Sequence, residues 1–98
     1  MSEHATPPVP EFLPQPDLIF LVASLKMQAE MNLGLFPAGE GPDASPNLAL
    51  ARHAIDLLAV LAEKTKGNLT LEEQRFLDNS LTELRFRFVN ASTEPAQP

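Results

Sequence analysis

The chain has 98 residues, a net charge of −6 and no cysteine. This length allows one domain, and the absence of cysteine excludes a disulfide framework and thiolate chemistry. The negative charge argues against a nucleic-acid binder, whose affinity depends on lysine and arginine against phosphate, and against an anionic membrane surface.

Residues 1–16 contain five prolines, which favour extended backbone, so we expect a disordered or loosely extended arm. Phe12 and Leu13 are the apolar pair of this arm, and they either dock on the domain or form a short recognition motif. The arm lacks a basic region followed by an apolar run, so it does not resemble a signal peptide. No apolar run approaches the ~20 residues that span a bilayer. We therefore expect a soluble, cytoplasmic protein.

The first helix is predicted over residues 17–33, with Pro16 at its start and Gly34 as its stop signal. One apolar stripe follows helical spacing and is expected to face the core. It contains Leu18, Leu21, Val22, Leu25, Ala29 and Leu33. A second stripe of Phe20, Met27 and Met31 lies nearly opposite. A helix with apolar residues on two sides must be covered on two sides.

The second helix is predicted over residues 46–66, with Ser45 as its cap. Its apolar residues cover about half of the helix circumference, which is wide enough to contact more than one neighbour. They include Leu50, Ala51, Ala54, Ile55, Leu57, Leu58, Leu61 and Ala62. On the polar face, Arg52 and Asp56 are four residues apart, and we expect them to pair.

A corner follows, because Gly67 suits a left-handed position after a helix and Thr70 with Glu73 fits a capping box. The short connection predicts antiparallel neighbours. The alternative is an anion site that uses Lys64 and Lys66 at the start of the third helix, but the carboxylates of Glu72 and Glu73 disfavour it.

The third helix is predicted over residues 71–90, and residues 91–98 are predicted to form a disordered tail. Leu77, Leu81, Leu84 and Phe88 make a narrow apolar stripe of coiled-coil type. Phe86 lies almost opposite this stripe, between Arg85 and Arg87. Either this aromatic residue between two arginines stacks on a partner or a base, or the arginines simply complement the carbonyl end of the helix.

The sequence thus predicts an all-α fold in which a helical hairpin and an apolar N-terminal helix form a three-helix unit. A core of this size rarely supplies more than ~3–5 kcal/mol without a disulfide, a metal or oligomerisation. We expect a homodimer or higher closed oligomer. The predicted interface consists of Phe20, Leu25, Met27, Met31 and Leu58. The predicted partner surface consists of Phe12, Arg85, Phe86 and Arg87.

No catalytic, cofactor-binding or metal-binding residue emerges from the sequence. His53 and one carboxylate, Asp56, are too few for a metal site. Ser24, Ser45 and Ser80 have no histidine base nearby in sequence. Asp56 and Glu63 share a face, but that face is predicted to be solvated, where carboxylates keep ordinary proton affinities.

Several blocks of the sequence resemble a small bacterial family of unknown function, domain of unknown function 1844. They are Phe20–Leu25, Leu33-Gly34, Ala51–Leu58, Glu63–Glu73 and Leu81–Arg85. The Lys-Thr-Lys-Gly-Asn-Leu-Thr segment is the most specific, and the resemblance extends over about residues 18–89. It implies a small, soluble, all-helical bacterial protein without an established activity or cofactor.

Two functions are compatible with these features. The first is a non-enzymatic helical module for oligomerisation and protein interaction, which pairs with itself and with a protein partner that the sequence does not identify. The alternative is a regulatory domain that binds a small molecule between the first and second helices, with Arg52, His53 or Lys64 as polar anchors.

Overall fold

The computed structural model describes residues 13–35 and 46–93, and over these ranges it contains three α-helices. They are α1 (Leu18–Asn32), α2 (Leu48–Lys64) and α3 (Leu71–Thr93). The all-α prediction is confirmed, since none of the described residues lies in a strand. The predictions for Phe12, Ser45 and the segments 1–12, 36–45 and 94–98 fall outside the described residues.

The first helix begins one residue later than predicted because Asp17 acts as its N-cap. The Asp17 carboxylate accepts a hydrogen bond from the Phe20 backbone N–H at 2.8 Å, which satisfies one of the free donors at the helix start. At the other end, Gly34 has φ +84°. The Gly34 N–H donates to the Met31 carbonyl and the Leu35 N–H to the Glu30 carbonyl, both at 3.1 Å. This is the Schellman pattern that ends a helix.

The second helix begins at Leu48 with Asn47 as its N-cap, so the predicted start at residue 46 was wrong. The Asn47 side-chain oxygen accepts a hydrogen bond from the Leu50 backbone N–H at 3.0 Å. The backbone N–H of Asn47 donates to the Asn32 carbonyl at 2.8 Å. The second bond joins the end of α1 directly to the start of α2. Helix α2 ends at Lys64, two residues before the predicted boundary, and the Thr65 carbonyl accepts from the Asn68 N–H in the following turn.

The corner between α2 and α3 follows the prediction closely. Gly67 has φ +84°. The Glu73 N–H donates to the Thr70 hydroxyl at 3.1 Å, and the Thr70 N–H donates to the Glu73 carboxylate at 2.9 Å. These reciprocal bonds are the predicted capping box. They place a carboxylate at the N-terminus of α3, which opposes the alternative of an anion site there.

Helix α3 continues to Thr93, so residues 91–93 are helical and do not belong to a disordered tail. The hydroxyl groups of Ser92 and Thr93 donate back to the Phe88 and Val89 carbonyls at 2.7 and 2.9 Å. Because of this extension, the last turn of α3 contains no basic residue. The expectation that Arg85 and Arg87 complement the carbonyl end of the helix was therefore wrong.

The core lies between the three helices, with α2 antiparallel to its two neighbours. Each helix contributes one apolar face to it. The buried residues are Val22, Ala29, Leu33, Ala51, Ala54, Ile55, Leu58, Leu77, Leu81 and Leu84. Leu58 is 0% exposed. Its assignment to an interface between copies was therefore wrong, since its side chain is already covered by its own chain.

The two glycines with positive φ allow a controlled comparison of stability. A Cβ atom added at Gly34 would lie 2.8 Å from Cγ of Pro46, whereas a Cβ atom at Gly67 would meet nothing within 4 Å. Gly67→Ala should therefore cost only the left-handed backbone penalty, ~1–2 kcal/mol. Gly34→Ala should lower the free energy of unfolding further because it adds the clash with Pro46. Urea denaturation of both variants measures the difference, and equal losses would contradict the close approach of Gly34 and Pro46.

Candidate self-association surface on the first helix

Helix α1 presents a second apolar face on the side away from the core. Phe20, Met27 and Met31 are 43%, 55% and 42% exposed. At about 100° per residue, these positions lie roughly opposite the buried Val22 and Ala29. The predicted second stripe is therefore exposed to solvent in the single chain. Exposed methionine and phenylalanine on one face of a helix are typical of surfaces that contact another protein.

Ser24 lies on the same side of α1, between Phe20 and Met27. We call Phe20, Ser24, Met27 and Met31 the outer face of α1. The Ser24 hydroxyl donates a hydrogen bond to the Phe20 carbonyl at 2.9 Å. Because its proton already has an acceptor within the helix, covering Ser24 would not leave a donor unsatisfied. The outer face can therefore lose its water at low polar cost.

The charged side chains of α1 lie along the edge that meets α3. Lys26 Nζ is 3.4 Å from Glu30 Oε2 and 3.6 Å from Glu83 Oε1. On α3, Arg87 Nε donates to Glu83 Oε2 at 3.1 Å. The hydrogen bond from Arg87 and the positive charge of Lys26 lower the pKa of Glu83. This group of four charges joins α1 to α3 and leaves the outer face uncharged.

The remaining predicted interface and partner residues are distributed differently. Leu25 is half-buried and packs against the core, so it lies beside the outer face without belonging to it. Leu58 is inside the core, as described above. Phe12 lies outside the described residues. Of the five residues predicted for the interface, only Phe20, Met27 and Met31 share one exposed surface.

Arg85, Phe86 and Arg87 do not form a single patch on α3. Arg85 lines a groove against α2, together with Arg52 and Asp56. Arg87 points to the other flank, where it pairs with Glu83. Phe86 is 66% exposed, and with Arg87 it lines a groove beside Leu33, Gly34, Leu35 and Pro46. The expectation that this ring stacks on a partner or a base stays a prediction.

The groove between α2 and α3 combines apolar and basic side chains. Its volume is about 220 Å³. Its lining consists of Arg52, Ile55, Asp56, Arg85, Phe88 and Val89. Arg52 Nε lies 3.8 Å from Asp56 Oδ2, which confirms the predicted pair. The two guanidinium groups come from different helices and border an apolar floor.

A ligand site was predicted between α1 and α2, with Arg52, His53 or Lys64 as its polar anchor. Arg52 lies on the side of α2 that faces α3. His53 and Lys64 are exposed, and Lys64 is twelve residues further along the helix than Arg52, or about 18 Å. Arg52 therefore lines a different groove, between α2 and α3, and the use of His53 or Lys64 as an anchor stays a prediction. Sequence reasoning missed Arg85 as the neighbour of Arg52, because residues 33 positions apart give no pairing signal in a single sequence.

The other polar groups are dispersed. Ser80 is buried in the core, and its hydroxyl oxygen has no partner among the described residues. Asp56 and Glu63 are exposed and pair with Arg52 and Lys66. In residues 13–35 and 46–93, no three side chains of metal-ligating type converge. None of the described helices combines the length and apolar character needed to cross a bilayer.

A protein-family model matches residues 15–90. The chain belongs to the family described as a domain of unknown function, DUF1844. The resemblance drawn from the Glu63–Glu73 block and the four shorter segments is thereby confirmed. No curated protein and no solved structure matches this DUF1844 chain.

Glu83 of this DUF1844 domain provides a test of the edge between α1 and α3. Removing a cation should raise the pKa of Glu83, and Arg87→Gln should raise it more than Lys26→Met because the Arg87 hydrogen bond is the larger cause. NMR titration of the Glu83 carboxyl carbon measures this order. The same pKa for the wild type and both variants would show that these contacts do not form in solution.

The direction of the pH effect on stability follows from the same pKa. The pKa of Glu83 is lowered in the folded chain, so the ionised carboxylate stabilises the fold. This stabilisation is fully present when the pH is above 4.5, the ordinary pKa of the group. That contribution is lost as the pH falls through the lowered folded value. Glu83→Gln should therefore lose less stability than the wild type on acidification.

Proposed function

We propose that this protein is a non-enzymatic helical module that associates with a second copy of itself through the outer face of α1. The observation that carries the proposal is the exposure of Phe20, Met27 and Met31 opposite a face that is already buried. Fully burying one such side chain contributes ~1.5–3 kcal/mol. Covering three partly exposed ones is a substantial gain for a domain with a small core.

The same proposal includes a protein partner that binds the assembled module. Phe86 offers an exposed aromatic side chain on α3, beside the C-terminal end of α1, as a contact for this partner. Aromatic side chains are enriched at the centres of protein interfaces. The net charge of −6 favours a protein over a nucleic acid as this partner.

We place this activity in the bacterial cytoplasm. The absence of cysteine fits a reducing compartment, where disulfides are rare. A module of this kind needs no catalytic group, cofactor or metal. The dispersal of serine, histidine and carboxylate side chains over separate surfaces of the described helices supports this interpretation, because nucleophile and base must lie within hydrogen-bond reach.

A charge placed in the outer face should separate the copies. Met27→Lys puts an ammonium group at the centre of the surface, and we expect the dissociation constant of the dimer to rise by more than about tenfold, since each ~1.4 kcal/mol corresponds to tenfold. Sedimentation equilibrium at micromolar to submillimolar concentrations measures it. Val60→Lys is the matched control, because Val60 is 54% exposed on α2 and the charge change is the same.

Two results would contradict this proposal. A wild-type protein that is monomeric throughout the concentration range would remove self-association as its function. Equal weakening by Val60→Lys and Met27→Lys would show that charge, and not the outer face, controls association.

The alternative function is binding of a small anionic ligand with an apolar part, and the groove between α2 and α3 is the observation that favours it. Arg52 and Arg85 supply two guanidinium groups, which suit carboxylate or phosphate oxygens. Phe88 and Val89 supply an apolar wall. This site replaces the one expected between α1 and α2.

Aryl carboxylates are suitable probes for this groove. If the alternative holds, they should raise the melting temperature by several degrees at saturating concentration, since ligands that bind only the folded state stabilise it. Arg85→Gln should abolish the shift, whereas Arg75→Gln, at an exposed position of the same helix, should preserve it. No shift across the probe series, or a shift that survives Arg85→Gln, would count against the groove as a ligand site.

A further inference from the structure

We propose that two copies pair through antiparallel α1 helices related by a twofold axis, with Met31 of each copy seated in a hole at the N-terminal end of the other copy's outer face. This inference rests on the proposed self-association and specifies its geometry. It follows from the spacing of the outer face, the shape of the surface beside Phe20 and the charge at Asp17.

The outer-face residues follow a coiled-coil repeat. Phe20, Ser24, Met27 and Met31 are separated by four, three and four positions. This spacing is that of alternating d and a positions in a heptad repeat, the pattern of helices that pack side by side. The buried positions Val22 and Ala29 fall at f, on the far side of the same helix. One helix therefore carries one surface for its own bundle and a separate seam for a second helix.

At one end of the seam, four residues have the spacing of such a hole, and the surface there is open. In coiled-coil packing, a side chain inserts between four residues of the facing helix, at i, i+3, i+4 and i+7. Asp17, Phe20, Leu21 and Ser24 have this spacing, and they line a shallow groove of about 460 Å³. In an antiparallel pair centred between Ser24 and Met27, the residue that lies level with this hole is Met31 of the second copy.

The sizes of the side chains favour the antiparallel direction. Antiparallel pairing places Phe20 against Met31 and the small Ser24 against Met27, so the layers differ less in volume than they do in a parallel pair. Parallel pairing places Phe20 against Phe20 and Ser24 against Ser24, which crowds one layer and leaves a void in the next. Voids and overpacking both destabilise a packed interface. Opposed helix dipoles also favour the antiparallel arrangement.

Charge at the start of the helix favours the same direction. Asp17 occupies the next a position before Phe20, and its carboxylate caps α1. Parallel helices would bring two Asp17 carboxylates level with each other across the seam, where their like charges would repel. The antiparallel arrangement separates them by 17 residues along the axis, or about 25 Å. The proline-rich segments that precede α1 then leave the pair from opposite ends.

Single-cysteine variants test this geometry directly, because the native chain has no cysteine. Phe20→Cys and Met31→Cys are prepared as full-length proteins, checked for folding by circular dichroism, and oxidised separately and as an equal mixture. The antiparallel pair predicts a covalent heterodimer in the mixture, on the order of tenfold above either variant alone, because pairing raises the local thiol concentration. Intact mass distinguishes the heterodimer from each homodimer. Val60→Cys gives the background level.

Each other outcome is decisive. Efficient cross-linking of Phe20→Cys with itself would overturn the antiparallel direction while self-association remained. Background cross-linking in every sample, with a wild type that sediments as a dimer, would show that another surface is used. Background cross-linking with a monomeric wild type would overturn both this inference and the proposed function.

Discussion

Helix α1 has apolar side chains on two opposite faces, and a three-helix unit can cover only one of them. The face of Val22 and Ala29 is buried against α2 and α3. On the opposite face, Phe20 and Met27 remain 43% and 55% exposed. The self-association proposal depends on this imbalance, because the gain from covering the second face has to come from outside the subunit.

The charges of α1 are arranged so that they do not interfere with this second face. Lys26 and Glu30 lie on the edge toward α3, where Lys26 pairs with Glu30 and with Glu83, which in turn pairs with Arg87. They would oppose burial if they stood among the methionines, because desolvating a charge is expensive. At the edge, they orient α1 against α3 and remain partly hydrated. The helix thereby separates three roles around its circumference, which are core packing, ionic contact and an uncharged outer surface.

Helix α3 shows why neighbouring residues in sequence can serve different surfaces. Successive residues on a helix are about 100° apart, so Arg85 and Arg87 point to opposite flanks. Arg85 joins Arg52 of α2, and Arg87 joins Glu83 near α1. Arg85 and Arg87 therefore contribute to different surfaces of the helix. The arginine pair in the α2–α3 groove was not accessible to sequence reasoning, because it joins residues far apart in the chain.

The sequence by itself determined the three helices, the glycine turns at Gly34 and Gly67, the Thr70–Glu73 capping box and the two-sided character of α1. These features depend on periodicity and on contacts between residues a few positions apart, which one sequence displays directly. Only the tertiary structure decided that Leu58 is buried within the subunit, that Asn47 links α2 to the end of α1, and that Lys26 reaches Glu83. These outcomes depend on how helices are placed relative to one another. That placement is set by the summed packing of many side chains, for which a single sequence carries no pairwise signal.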